Sequence, residues 1–140
     1  MSDGLYDQRI KDLAAQASTF GPLANADYVH DLDNFLCGDR VTLELSKADG
    51  KVTAVGGKVR GCLLVQAAAA LIAEQSPGAD VATLKAAVDQ VRDLMADGAT
   101  TGPWSETAIF APVHNHKHRH DCVLLPFEAL AACLDEIDDK

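Results

Sequence analysis

Residues 40–62 read RVTLELSKADGKVTAVGGKVRGC, and this stretch decides the fold class. Val41, Leu43 and Leu45 alternate with Thr42, Glu44 and Ser46, so Arg40–Ser46 is a strand with one buried and one wet face. Ala48-Asp49-Gly50-Lys51 is a hairpin turn, glycine supplying the positive φ such turns need. Lys51–Val55 returns as the second strand. Gly56-Gly57 suggests a bulge or bend, and Lys58–Arg60 then makes a third strand. At Cys62 the period changes. Leu63–Gln75 is alanine-rich and almost wholly apolar, the pattern of a helix buried on most sides.

Working outward, Leu5–Ala17 predicts an amphipathic helix, with Tyr6, Ile10, Leu13 and Ala17 at helical spacing. Gly21-Pro22 ends it. Leu23–Leu36 has no clean period and is expected to be a loop, which leaves His30 exposed and idle. After Pro77-Gly78, Asp80 can cap a helix over Val81–Ala96, striped by Leu84, Val88, Val91 and Met95 and closed by Asp97-Gly98. Ala99–His120 reads as a long loop around Trp104. A last helix follows Cys122, with Pro126 in its first turn and Leu130, Leu134 and Ile137 on its core face. The 140 residues are expected to form a single α+β domain over 1–140: a three-stranded antiparallel sheet, Arg40–Arg60, packed against helices.

Charge and composition narrow the function. Twelve Lys and Arg stand against 21 Asp and Glu, a formal net charge of −9. Such a surface repels phosphate backbones, so nucleic acid is not an expected partner. No charge-free apolar run approaches the roughly 18 residues a membrane span needs. The start, Met1-Ser2-Asp3-Gly4, lacks the basic and apolar stretches of a signal peptide. A cytoplasmic protein is expected.

The four cysteines, Cys37, Cys62, Cys122 and Cys133, contain no Cys-x-x-Cys, which excludes zinc-ribbon and thioredoxin-type motifs. Cys62 and Cys122 each precede a predicted helix, where unpaired N–H groups and the helix dipole favour a thiolate, the form that ligates metal or attacks sulfur. Cys37-Gly38-Asp39 lets Cys37 and Asp39 point at one centre. Cys37, Asp39, Cys62 and Cys122 together would make a closed tetrahedral site for zinc or iron. Three unrelated buried cysteines are the competing reading. Cys133, beside the apolar stripe of the last helix, reads as a core residue. His114, His116, His118 and His120 alternate along the chain, so an extended backbone would aim all four one way as a candidate metal patch. A solvated loop is the plainer reading. His120, nearest Cys122, is a candidate fourth ligand or proton donor to a leaving thiol.

These residues resemble the U-type iron–sulfur assembly proteins: IscU, SufU and the N-terminal domain of NifU. The resemblance rests on Cys37-Gly38-Asp39, on Gly61-Cys62 at a strand-to-helix junction and on Cys122 at the final helix. Tyr6, Ile10 and Asn34, and Phe110-Ala111-Pro112-Val113 followed by Cys122-Val123-Leu124-Leu125, extend it over nearly the whole chain. The helical segment Val81–Ala96 between Cys62 and Cys122 is closer to SufU than to IscU. The chain departs from the pattern in three respects. Asp121 precedes the third cysteine, where IscU has His and SufU a basic residue. His120 stands one step earlier. The chaperone-docking segment Leu-Pro-Pro-Val-Lys of IscU is reduced to Pro112-Val113. Arg119 matches the basic position in both branches.

The resemblance implies a protein that accepts sulfur from a cysteine desulfurase and assembles or relays an iron–sulfur cluster for apo iron–sulfur proteins, with zinc at the site when isolated. It implies no turnover of a small substrate. The SufU branch points to Cys37 as first persulfide acceptor and the IscU branch to Cys122. A zinc-dependent sulfurtransferase that builds no cluster, and a structural zinc-binding domain, are the alternatives.

Overall fold

The alternation at Val41, Leu43 and Leu45 is realised in a strand longer than the sequence predicts. A computed structural model describes residues 8–16, 21–34, 38–99 and 101–138. In it β2 spans Asp39–Ala48 and β3 spans Lys51–Arg60, paired antiparallel. Val41, Leu43 and Leu45 are all fully buried. Asp49 and Gly50 turn the chain with φ of 55° and 78°. Two successive positive values give the turn whose twist matches that of the flanking strands.

The Gly56-Gly57 pair does not divide the strand. β3 passes straight through it, and the irregular register lies between Ser46 and Lys47 instead. The glycine is there for close approach: a Cβ on Gly57, φ 130°, would stand 1.9 Å from the Thr42 carbonyl oxygen. The third strand is therefore not Lys58–Arg60. It is β1, Tyr28–Asn34, which pairs antiparallel with β2 to give the order β1-β2-β3. It lies inside 23–36, where the sequence shows no clean period. Tyr28, His30, Leu32 and Asn34 are half-buried, while Val29, Asp31 and Asp33 face water. With a valine outside and a histidine and an asparagine inside, the apolar alternation that marks a half-buried strand is lost. Asp31 and Asp33 protect this edge from pairing with another chain. His30 is not idle. Its Nε2 lies 3.0 Å from Glu136 Oε1 and links β1 to the last helix.

The described residues form four α-helices: α1 Gln8–Gln16, α2 Leu63–Gln75, α3 Val81–Asp97 and α4 His120–Asp138; α2 and α4 pack on the sheet, α1 lies against α2 and α3 against α4. Leu5, Tyr6 and Ala17, predicted for α1, lie outside the described residues; Ile10 and Leu13 are fully buried. α2 is the central element, touching α1, β3 and α4, and α4 lies against β1 and β2. α3 begins as predicted, the Asp80 carboxylate accepting from the Thr83 N–H at 2.8 Å, and ends at Gly98 with φ 80°.

The stretch expected as a long loop is largely ordered: two 3₁₀ segments, Ser105–Asn115 and Lys117–Arg119, occupy most of it. The organiser is Gln90, a buried side chain on α3. Its Nε2 donates to the Trp104 carbonyl at 3.1 Å, and its Oε1 accepts from the Trp104 N–H at 3.0 Å. That fixed backbone lets Trp104 meet Phe127 edge-on at 6.1 Å. Cys133 is a core residue: its thiol is pushed up to about 12, first by burial and then by the Glu136 charge. Among the described residues no helix is long and apolar enough to cross a membrane.

Arg9 ties the short α1 to the rest. Its guanidinium donates to Glu106 at 3.1 and 2.5 Å and to Glu74 at 2.7 Å. The Arg9 hydrogen bond holds the Glu106 carboxyl below its ordinary value of 4.5. A carboxylate with a depressed folded value contributes stability above its unfolded value and loses it as pH falls through the lower folded one. The pair is partly exposed, so the effect is small, roughly 1 kcal/mol or less. We expect Arg9→Leu to be less stable than wild type at pH 7, with the gap closing below pH 4. Urea unfolding of both proteins at the two pH values measures it; a gap that does not close would separate Arg9 from Glu106.

Candidate metal centre

Three elements end at one point. Asp39 opens β2 on the same inward face as Val41, and it is only 4% exposed. Cys62 is the residue just before α2, extended at φ −72° and ψ 174°. Its side chain makes no capping hydrogen bond to the helix, so the sulfur is not spent on the backbone. Cys122 comes from α4 and is buried. A carboxylate oxygen of Asp39 and the sulfurs of Cys62 and Cys122 lie within 4.8 Å of one another.

α4 begins at His120, not after Cys122, so Cys122 sits within the first turn of the helix, not ahead of it. Pro126 consequently falls in the second turn. It cannot donate the helical N–H that would meet the Cys122 carbonyl four residues back, and its ring crowds that carbonyl.

Gly38 has φ 74° and donates its N–H to the Asn34 carbonyl at 2.8 Å, so the end of β1 and the start of β2 are held together. Cys37 lies outside the described residues. Of the four ligands read from sequence, the structure thus brings together Asp39, Cys62 and Cys122.

His120 is not in that group. Its ring N–H, Nε2, donates to the His114 carbonyl at 2.9 Å. The four histidines do not share one face, because the backbone is wound into 3₁₀ turns rather than extended. The rings of His114 and His120 stack at 6.2 Å, while His116 and His118 meet edge-on at 6.2 Å. His114 donates from Nδ1 to the Met95 carbonyl at 2.9 Å. Two of the four rings therefore fasten the 3₁₀ segment to α3 and to α4.

The donor set has a chemical meaning. Two sulfurs and one carboxylate oxygen suit zinc or iron, whereas magnesium and calcium want oxygen throughout. Donors about 2.0–2.3 Å from one tetrahedral ion stand roughly 3.3–3.8 Å apart.

Two residues beside the cluster carry no weight in the sequence reading beyond the Gly61-Cys62 motif. Gly61 lies against the Asp39 carboxylate, and Gln66 donates from Nε2 to the Gly61 carbonyl at 2.8 Å. A signal for Gln66 is present: it is the one polar residue in the apolar run 63–73.

Known proteins are similar to this chain in sequence and in fold. The chain is 25% identical over 134 residues to the iron-sulfur cluster assembly scaffold protein IscU of Thermotoga maritima, covering 95% of this chain and 94% of that protein. It superposes with a TM-score of 0.91 and 33% identity on the crystal structure of a nitrogen-fixing NifU-like protein (N-terminal) from Brucella abortus, covering 99% and 97% of the two chains. A putative iron-sulfur cluster assembly scaffold protein for the SUF system from Fervidobacterium islandicum gives 0.86 and 26%, covering 96% and 99%. The model of the NifU-like N-terminal domain matches residues 5–123, and the chain belongs to that family.

Proposed function

We propose that this protein is an iron–sulfur cluster assembly scaffold. It accepts sulfur from a cysteine desulfurase, gathers it with iron on Cys37, Asp39, Cys62 and Cys122, and passes the cluster to apo iron–sulfur proteins. The observation that carries this reading is the convergence of Asp39, Cys62 and Cys122 from three separate elements in a chain of the NifU-like family. Its work is done in the cytoplasm, and as purified it holds zinc where iron later sits.

Each ligand has a part. The sulfurs of Cys62 and Cys122, tied to helix starts, are the fixed corners. Cys37, next to Gly38, receives sulfur. Its thiolate attacks the outer sulfur of the persulfide on the desulfurase. The donor's S–S bond breaks, the donor cysteine leaves as thiolate, and the persulfide now sits on Cys37. Asp39 is a hard oxygen donor beside soft iron–sulfur chemistry, so it is the corner at which an incoming acceptor thiolate can displace the scaffold.

Anaerobic reconstitution with ferrous iron, cysteine, a desulfurase and a thiol reductant, which supplies the two electrons that take each persulfide sulfur to sulfide, tests the reading, followed by absorbance and by transfer to an apo-ferredoxin. A transferable cluster is expected. Persulfide without any cluster would make the protein a sulfur relay instead. Asp39→Ala should hold the cluster longer, slowing its transfer about tenfold, or about 1.4 kcal/mol of barrier. Equal transfer rates would remove the exit role from Asp39. For the first step, trapping the desulfurase reaction and locating the added sulfur by mass spectrometry should find it on Cys37. A Cys37→Ser variant that acquires persulfide on Cys122 at the wild-type rate would reassign the acceptor.

A further inference from the structure

Gly61 has φ 153°, near the limit of what a residue with a side chain adopts. The space its missing side chain leaves is already occupied. A Cβ built on Gly61 would stand 2.3 Å from Oδ1, 2.7 Å from Cγ and 3.1 Å from Cβ of Asp39. The Asp39 carboxylate therefore rests directly on the Gly61 backbone. The same peptide is held from the other side by Gln66, whose Nε2 donates to the Gly61 carbonyl at 2.8 Å. Gln66 stands one helical turn into α2, and its own N–H bonds the Cys62 carbonyl at 3.1 Å. It thus brackets Cys62, fixing the carbonyl before it and the carbonyl of the cysteine itself.

We propose that Gly61 and Gln66 are positioning residues: Gly61 makes the space in which the Asp39 carboxylate reaches the two sulfurs, and Gln66 locks the peptide that defines that space. The pair thereby keeps an oxygen in the ligand set. The inference rests on the metal reading above, and it concerns which atom completes the site rather than whether the site binds metal. Any larger residue at 61 would push the carboxylate out while leaving both cysteines in place. Freeing the Gly61 carbonyl would let the peptide, and the carboxylate lying on it, drift.

Cobalt(II), a zinc substitute with visible bands that report its ligands, tests this without any assembly activity. Wild type, Gly61→Ala, Asp39→Ala and the double variant are titrated anaerobically. Ligand-orienting groups of this kind govern about 10–100-fold in metal affinity. We expect Gly61→Ala to lose at least about tenfold in Co(II) affinity and to shift its bands to those of Asp39→Ala. In the Asp39→Ala background, Gly61→Ala should cost less than about twofold more, because the carboxylate it displaces is already gone. Backbone strain at residue 61 acts in both backgrounds, so a merely structural glycine would lower affinity equally in each, which would overturn the proposal. Wild-type affinity and bands in Gly61→Ala would overturn it too. Gln66→Leu keeps the helix and removes only the lock; it should shift the bands in the same direction, and it decides the matter if Gly61→Ala does not fold. Unchanged bands there count against the proposal. A wild-type protein that takes no Co(II) would instead overturn the metal reading underneath.

Discussion

Helix α2 keeps all but a narrow strip of its surface, marked by the exposed Leu63 and Glu74, away from water, and the rest of the structure is arranged around that fact. Leu64, Val65, Ala67, Ala68, Ala69, Leu71 and Ile72 are all fully buried, so the helix exists only where α1, β3 and α4 surround it. Alanine is the enabling residue. A short side chain lets neighbouring backbones come close, and an interior packed this densely has no slack for the helix to slide. Cys62 stands at the first step of this immobile element. The position of one sulfur is thus inherited from the packing of the core. The same holds for Cys122, because α4 packs against α2, β1 and β2. A metal centre needs donors placed to a few tenths of an ångström, and here the hydrophobic core supplies that precision.

Surface charge does a different job. The protein carries a large negative excess, yet several of its cations span elements instead of dispersing. Arg92 on α3 grips Glu128 on α4 with two bonds of 2.8 and 2.6 Å, and Arg9 joins α1 to α2 and to the 3₁₀ segment. Bridges this exposed contribute little free energy. Their two-pronged geometry selects one relative placement of the elements they join, which complements a core whose burial is non-directional.

Much of this was legible in the residues, and the misses have physical causes. β2, the hairpin turn, α2 and α3 follow from local rules: alternation, a turn glycine, a long apolar run, and an aspartate and a glycine at the two ends of a helix. Each of those signals is created and satisfied within a few residues. β1 was hidden because it is half-buried at an edge, where Val29 can face water and His30 can be satisfied by Glu136, far along the chain. The 3₁₀ segments were hidden for a related reason. Their order comes from Gln90, a side chain on another element, so nothing in 99–120 announces it. The convergence of Asp39 with two cysteines could be anticipated because turn and helix-start residues project where chain segments end. What could not be read is the Gly61–Asp39 contact, since a glycine in sequence does not reveal which atom fills the space beside it.

That contact bears on why a site of this type would hold an oxygen at all. Bringing a carboxylate and two sulfur ligands together at a largely buried point is unfavourable unless a cation joins them, since each loses water and the charges repel. A bound metal would therefore stabilise the folded chain, and the tighter it bound the larger that gain. A protein whose task is to hand its cargo on cannot let this coupling grow without limit. Four thiolates would maximise affinity for zinc or for an iron–sulfur cluster and would leave the acceptor little to displace. Replacing one soft donor with a hard carboxylate lowers the hold at a single corner while the two helix-anchored sulfurs keep the geometry. The oxygen lowers the hold without spoiling the fold only if it is placed as accurately as the sulfurs. A strand-end aspartate is less constrained than a helix-start cysteine, and the backbone surface of Gly61 supplies the constraint that Asp39 lacks.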